Sequence, residues 1–483
     1  MPLSPADESW LAQHGIPAAE ARRQITLLKD GMPPLHLSRA ARIGDGIVRL
    51  TLLERDHWVH QTRGSASLGF FVPASGAASR MFAGLRKLAD HPEELARDPK
   101  VRTLLETAVV RRSLKAAGFP VVGAANEVRA LLSPVPEGLG WPDLPKAFLP
   151  FHASGKQDVR TAFEEQLHEI CDTLGTRRRG SLHITLSSEQ LQERARLQAI
   201  VNRIAHEHEC FLELEISAQD PATDTLALTS LDGDLARDAQ GFPRLRAGGH
   251  GSLLANLSAT TGDVVLVKNI DNIQPRWRQG GVIPWRLALA GVALELRHQG
   301  DLLLASHPGS PDEAEAVKSF GNLLAHLGRP EPLEAVHLRH LAARPLRVAG
   351  MVRNDGAPGG GPFWVEGKGL QIVEQSEVPS DPEQRAILEN ATHFNPVEMA
   401  CCLRRPDGSL HELETFRDAS RAFVSEKPDG AGGILKVLEH PGLWNGSMGG
   451  WLTVFVEIPP ETFLPAKTIF DLSHPWRQPP EGN

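Results

Sequence analysis

Leu68-Gly69-Phe70-Phe71-Val72-Pro73-Ala74-Ser75-Gly76-Ala77-Ala78-Ser79-Arg80-Met81 joins an apolar run, a turn of small residues and the opening of a helix. The run 68–72, closed by Pro73, has the length and bounds of a buried strand. Residues 74–79 make the turn, and a helical pattern follows over 80–88. Small side chains let backbone N–H groups approach an anion, and a helix N-terminus adds a favourable dipole. Arg80 can then fork onto phosphate oxygens. An ordinary strand–helix turn has the same composition, so this segment leaves phosphate binding and plain connection both open.

Working outward, further strands are expected at 182–186, 211–216, 264–270, 348–353, 371–374 and 450–458. Helical patterns run over 18–28, 281–299 and 312–327, and Ser187-Ser188-Glu189 suits a helix start. Strands alternating with helices over this length predict an α/β chain, a three-layer sandwich around a mixed, mostly parallel central sheet. A chain of 483 residues exceeds one ordinary core. The expected organisation is a mainly helical N-terminal extension over 1–65, a core over 66–345, and a C-terminal part over 346–473. A Pro-rich tail from His474 is expected to fray. The glycine-rich patch 356–362 reads as a loop between strands.

Composition narrows the function. The formal net charge is −8, which argues against a general nucleic-acid binder but not against a nucleotide held in a local basic pocket. No run of about 18 apolar residues is present, so no membrane span is expected. Residues 1–20 lack the charged and apolar regions of a secretory signal. The four cysteines, Cys171, Cys210, Cys401 and Cys402, include no C-x-x-C pair and suit a reducing compartment. A cytoplasmic protein is the expectation.

Two more segments carry chemistry. Arg246-Ala247-Gly248-Gly249-His250-Gly251-Ser252 sets three glycines around a histidine, which suits close backbone approach to a ligand or simply a flexible loop. Val264-Val265-Leu266-Val267-Lys268-Asn269-Ile270-Asp271-Asn272 puts Asp271 just past a buried strand, at the carboxyl end where open α/β sheets bind ligands. Asp271 there suits one-oxygen binding of Mg2+ alongside phosphates, or a turn that satisfies local backbone. His206 and His208 stand at i and i+2, which do not share a helix face, so they make a poor metal pair.

Taken in order, these segments resemble the UDP-sugar pyrophosphorylase family, nucleotidyltransferases with a glycosyltransferase-A-type fold. Residues 73–81 are similar to its glycine-rich nucleotide loop, with Arg80 at the arginine position. Leu144-Pro145-Lys146 resembles its Pro-Lys motif, and residues 182–187 its strand that retains Thr185. Gln219 matches the glutamine that reads uracil; Gly248-Gly249-His250-Gly251 resembles the Gly-His-Gly loop; Asn269-Ile270-Asp271-Asn272 resembles the metal-aspartate motif. Further on, 371–377 with Glu374, Phe394-Asn395-Pro396 and Phe463-Leu464-Pro465-Ala466-Lys467-Thr468 continue the match. The resemblance spans roughly residues 70–472 and is nearest to a bacterial branch known only as a domain of unknown function. Ala74-Ser75-Gly76 stands where that family has more glycines, and Gln375 where it has tyrosine.

The resemblance implies a nucleotidyltransferase that joins a nucleoside triphosphate, UTP in particular, to a sugar 1-phosphate and releases pyrophosphate. It implies catalytic roles for Arg80, Lys146 and Lys467, and Mg2+ on Asp271. The nucleotide would be held by Ala74, Ser75, Gly76, Gln219, Gly249, His250 and Gly251, and the sugar by Glu374 and Asn395. The same architecture also serves glycosyltransferases and non-catalytic nucleotide-sugar-binding proteins.

Overall fold

The computed structural model describes residues 3–64, 66–76, 78–229, 233–354, 360–429 and 433–480. It is mixed α/β, with 16 α-helices among the described residues. Two compact units draw on interleaved stretches of chain. One comprises Met1–Glu54, Gln219–Ala259 and Leu289–Ile458; the other comprises Arg55–Ala218, Thr260–Ala288 and Pro459–Asn483. Neither is a continuous stretch such as 66–345, because parallel strands are joined by long crossovers and their neighbours come from distant sequence.

In the second unit, strands Val264–Lys268, Leu68–Pro73, Arg179–Leu186 and Phe211–Ala218 lie side by side in that order, all parallel. Val264–Lys268 is buried at every position and Leu68–Pro73 at all but its last. Strands covered on both faces lose polar alternation, which is why both stand out as apolar runs. Phe211–Ala218 is only partly buried and turns Glu213 and Glu215 outward, so charge guards the rim strand. The helix Ala162–Leu174 opens on a Thr161–Glu164 capping box. It is buried almost throughout, Glu165 and Glu169 included.

In the first unit, strands Arg42–Ile43, Gly46–Val48, Leu452–Glu457, Leu346–Arg353 and Glu398–Cys402 are successive neighbours. The first three pairings are parallel and the last antiparallel. The hairpin Gly361–Val365/Gly369–Val373 carries Leu37–Ala40 on its other side. Residues 355–359, most of the glycine-rich patch expected as a loop, lie outside the described residues. An antiparallel sheet of Leu245–Arg246, Thr225–Thr229, Ile434–Glu439 and Phe423–Pro428 completes this unit. The helices Pro5–Gln13 and Ala18–Asp30 pack there, with Leu11, Ile16, Ala21 and Leu28 against Leu226, Leu228 and Leu438.

Over 1–65 the described residues form the helices Pro5–Gln13, Ala18–Asp30 and Leu52–Gly64, and also three short strands, Leu37–Ala40, Arg42–Ile43 and Gly46–Val48, whose partners are as distant as Val365 and Phe455. The stretch from His474, expected to fray, is packed at its start. Pro475–Arg477 forms a 3-10 turn, and Arg477 is only 2% exposed. No helix among the described residues is long and apolar enough to cross a membrane. All four cysteines are buried and none forms a disulfide.

Candidate functional site

The parallel strands of the second unit end on one edge, and the loop after Val264–Lys268 carries Asp271 there. The strand is pinned beneath the loop. Lys268, with no exposed surface, donates to Glu169 Oε1 at 2.7 Å, and Arg286 Nη1 donates to the same oxygen at 2.7 Å. Gln166 Nε2 holds the Asn269 carbonyl at 2.9 Å, and the Asn272 N–H closes a turn onto that carbonyl at 3.2 Å. Ile270 and Ile273 are buried on either side, so Asp271 is 6% exposed.

A carboxylate so removed from water needs partners. Lys146 Nζ donates to Asp271 Oδ2 at 2.8 Å, and Lys467 Nζ lies 3.2 Å from the same oxygen and 3.5 Å from Oδ1. Burial pushes the Asp271 pKa up, but Lys467 and Lys146 outweigh it and hold the carboxyl below its ordinary 3.8. The cluster therefore carries two ammonium groups against one carboxylate, a net positive charge at the carboxyl end of a parallel sheet.

Backbone geometry delivers Lys467. Asn272 and Pro465 form a β-bridge; the Ala466 N–H donates to Asp271 O at 3.0 Å, and the Leu464 N–H to Asn272 Oδ1 at 3.0 Å. Beyond the lysine, Asp471 Oδ2 accepts from the N–H groups of Lys467 and Thr468 at 2.8 and 2.7 Å. The strap 463–468 is thus fixed at both ends. Lys146 follows Pro145 at the start of the 3-10 turn Lys146–Phe148.

The first loop is tied to this cluster. The Ala74 N–H donates to Thr185 O at 3.0 Å, and the Ala78 N–H to Leu144 O at 3.4 Å, two residues before Lys146. These two N–H groups are already spent on protein carbonyls. Ser75 is half-buried, while Gly76 and Arg80 are exposed; Arg80 forms no ion pair among the described residues. The helix expected over 80–88 is a 3-10 turn, Ala78–Phe82, followed by the α-helix Ala83–Ala89. Ala77 lies outside the described residues.

The remaining candidates belong to the first unit. Gln219 Nε2 bonds Thr223 Oγ1 at 3.3 Å and Asp224 Oδ1 at 3.2 Å. The three glycines of 248–251 are accounted for by packing on 439–441. A Cβ on Gly248 would meet Thr223 O at 2.5 Å, one on Gly249 would meet Glu439 Oε2 at 2.6 Å, and one on Gly251 would meet Pro441 O at 2.1 Å. His250 stacks on Trp444 with centroids 4.3 Å apart, and its Nδ1 accepts from the Leu443 N–H at 2.9 Å. Asn395 is committed to backbone: its Nδ2 donates to Gly350 O at 2.9 Å and its Oδ1 accepts from the Val397 N–H at 3.2 Å. Glu374 differs. Burial raises its pKa above the ordinary 4.5, and it borders a cleft of about 660 Å3 with Gln375, Ser376, Glu389 and His393.

Mg2+ fits this donor set in one form only. Among the described residues no group of three or more His, Cys, Asp or Glu could hold a metal. Asp271 can offer a single carboxylate, with phosphate oxygens and water completing the shell. His208 is engaged elsewhere, with Asp172 on its Nδ1 at 2.8 Å and His168 on its Nε2 at 2.8 Å. The sequence reading missed three buried groups beneath the strap: Arg477, His152 and Glu165. A signal existed for one, since Glu165 and Glu169 stand at i and i+4 on the face of Ala162–Leu174 shared with buried apolar residues.

A family model described as a domain of unknown function (DUF4301) matches residues 4–478. Among solved structures, the chain is similar to one described as a "putative UDP-N-acetylglucosamine pyrophosphorylase from Entamoeba histolytica", at 10% identity and a TM-score of 0.41, covering 87% of this chain and 80% of that one. No curated protein matches the chain.

Proposed function

The chain belongs to the DUF4301 family, and we propose that it is a nucleotidyltransferase joining a nucleoside triphosphate, UTP in particular, to a sugar 1-phosphate with release of pyrophosphate. The observation that carries this reading is the Lys146–Asp271–Lys467 cluster. Two ammonium groups held on one buried carboxylate, beyond the carboxyl ends of parallel strands, make a fixed positive site. Phosphoryl chemistry asks for that, because such catalysis is mostly positioning and neutralisation of charge on phosphate oxygens.

In this mechanism the sugar phosphate oxygen attacks the α-phosphorus and pyrophosphate leaves in line. Lys467 neutralises charge developing between the two phosphates, and Lys146 and Arg80 hold the triphosphate. Asp271 keeps the two lysines oriented and would give one oxygen to Mg2+. When bound, the cation would draw charge from the phosphate oxygens. Among the described residues the Ser75 and Gly76 N–H groups, unlike that of Ala74, donate to no backbone carbonyl, which would leave them for an anion. By resemblance, Gln219 and the 248–251 loop serve the base, and Glu374 and Asn395 the sugar.

A glycosyltransferase usually places two carboxylates near its metal, whereas Asp271 is bonded to two lysines, Lys146 and Lys467. A nucleotide-binding protein without catalysis is the second reading, favoured by the Ala74 and Ala78 N–H groups already spent on carbonyls. A pyrophosphate-release assay across four nucleoside triphosphates and a panel of sugar 1-phosphates separates them. Release with one pair supports the transferase; thermal stabilisation by a nucleotide with no release across the panel supports binding alone.

A further inference from the structure

Arg477 is a buried cation in a stretch where the sequence suggests only a Pro-rich tail. A charge out of water needs partners for its donors, and two of the three guanidinium nitrogens have them. Nη1 donates to His152 Nε2 at 2.7 Å and reaches Ile273 O at 3.4 Å, while Nη2 donates to Leu464 O. The guanidinium also lies 5.3 Å from the centroid of Phe151. Ile273 stands two residues past Asp271, and Leu464 three residues before Lys467. One planar fork therefore grips both backbones of the bridge that brings Lys467 to Asp271.

The fork is itself held in place. His152 is fully buried on the strand Pro150–Ser154. Because its Nε2 accepts from Arg477, its proton sits on Nδ1, which faces Glu165 Oε1 at 3.3 Å. Burial lowers the His152 pKa well below 6.5, so the imidazole stays neutral and able to accept.

The Lys467 side chain is 60% exposed, and an exposed ion pair contributes only about 0–1 kcal/mol, so the strap is held by its backbone bonds and what fixes them rather than by that pair. The geometry points to Arg477 as a positioning residue: oriented by His152, it clamps the Ile273 and Leu464 carbonyls and so sets the Lys467 ammonium against Asp271 without itself touching substrate. Its effect on turnover rests on the nucleotidyltransferase reading; its effect on the strap does not.

The test uses the full chain with Arg477→Lys, which keeps charge but loses the fork, and His152→Gln, which leaves Arg477 in place. Three quantities are measured: pyrophosphate-release kinetics, hydrogen exchange of the peptide covering 463–467, and the rate at which acetic anhydride acetylates Lys467. In both variants kcat falls about tenfold or more while KM for the triphosphate stays within about twofold, the signature of misplacement rather than lost binding. The 463–467 amides exchange about tenfold faster or more, Lys467 acetylates faster, and Val264–Lys268 exchanges as in the wild type. Wild-type exchange and acetylation in both variants would overturn the clamp. So would faster exchange with unchanged kcat in an active enzyme. If the wild type releases no pyrophosphate with any pair, the transferase reading fails, and exchange and acetylation still decide whether Arg477 docks the strap.

Discussion

Asp271 and Lys467 stand 196 residues apart in sequence and 3.2 Å apart in space. The oxygen at which they meet is the one that accepts from Lys146 at 2.8 Å.

Removing either side of the Asp271–Lys467 pair exposes its catalytic share. Asp271→Asn and Lys467→Ala each lower pyrophosphate release by about 100-fold or more, the usual scale of a lost electrostatic contact in the transition state. Unchanged steady-state release in both variants would remove the assignment.

The two lysines differ in stability cost. Lys146 is 16% exposed and Lys467 60%. An exposed partner is worth about 0–1 kcal/mol, whereas orphaning a buried charge costs about 3–5 kcal/mol. Lys146→Met leaves Asp271 with Lys467 alone, so its cost falls between, at about 2 kcal/mol; Lys467→Met stays within about 1 kcal/mol. Urea unfolding of both variants checks the order, and equal midpoints would contradict it.

Glycines separate packing from function. An alanine at 251 puts Cβ 2.1 Å from Pro441 O, while one at 76 meets nothing within 4 Å. Gly251→Ala destabilises by about 1–3 kcal/mol or more, as overpacking does. Gly76→Ala changes stability by no more than about 0.5 kcal/mol, and any loss of nucleotide affinity in it reports on the loop itself. Thermal unfolding with and without nucleoside triphosphate measures both.

Glu165 gives a pH signature. Burial raises its pKa from 4.5 to about 8 in the folded chain. Between those values the folded state holds a proton that the unfolded state has lost. Its contribution to stability is therefore fully present below about 4.5 and is lost as pH rises through about 8, at about 1.4 kcal/mol per pH unit. Glu165→Gln keeps the shape and removes the titration. Its unfolding free energy relative to wild type then rises from pH 5 to pH 8; a constant difference would refute the shift.

Elements buried on both faces are legible in the sequence. Leu68–Pro73 and Val264–Lys268 declare themselves because burial leaves no polar alternation. The strands Arg42–Ile43 and Gly46–Val48 do not, since a two- or three-residue segment has no period to read and is strand only through partners elsewhere. The turn at 78–82 misleads differently, as a single turn of Ala-Ser-Arg-Met-Phe fits 3-10 and α geometry alike. At the site, Asp271 is visible as a residue just past an apolar strand. Its meeting with Lys146 and Lys467 is implied by resemblance and not by spacing, because long-range pairing leaves no local trace. Arg477 is hidden further: prolines on both sides suggest a loose end, and only tertiary contacts bury it.

The strap also orders events in time. A ribosome delivers Lys146 and Asp271 long before Lys467 and Arg477, so a growing chain can fold its parallel strands while the carboxylate still has one ammonium instead of two. Docking of 463–467 then follows the folding of those strands. A truncated translation product holding every strand of the second unit would still lack Lys467 and the guanidinium that seats it. On the proposed function, such unfinished copies would lack the group that neutralises charge between the two phosphates, without any separate inhibitor.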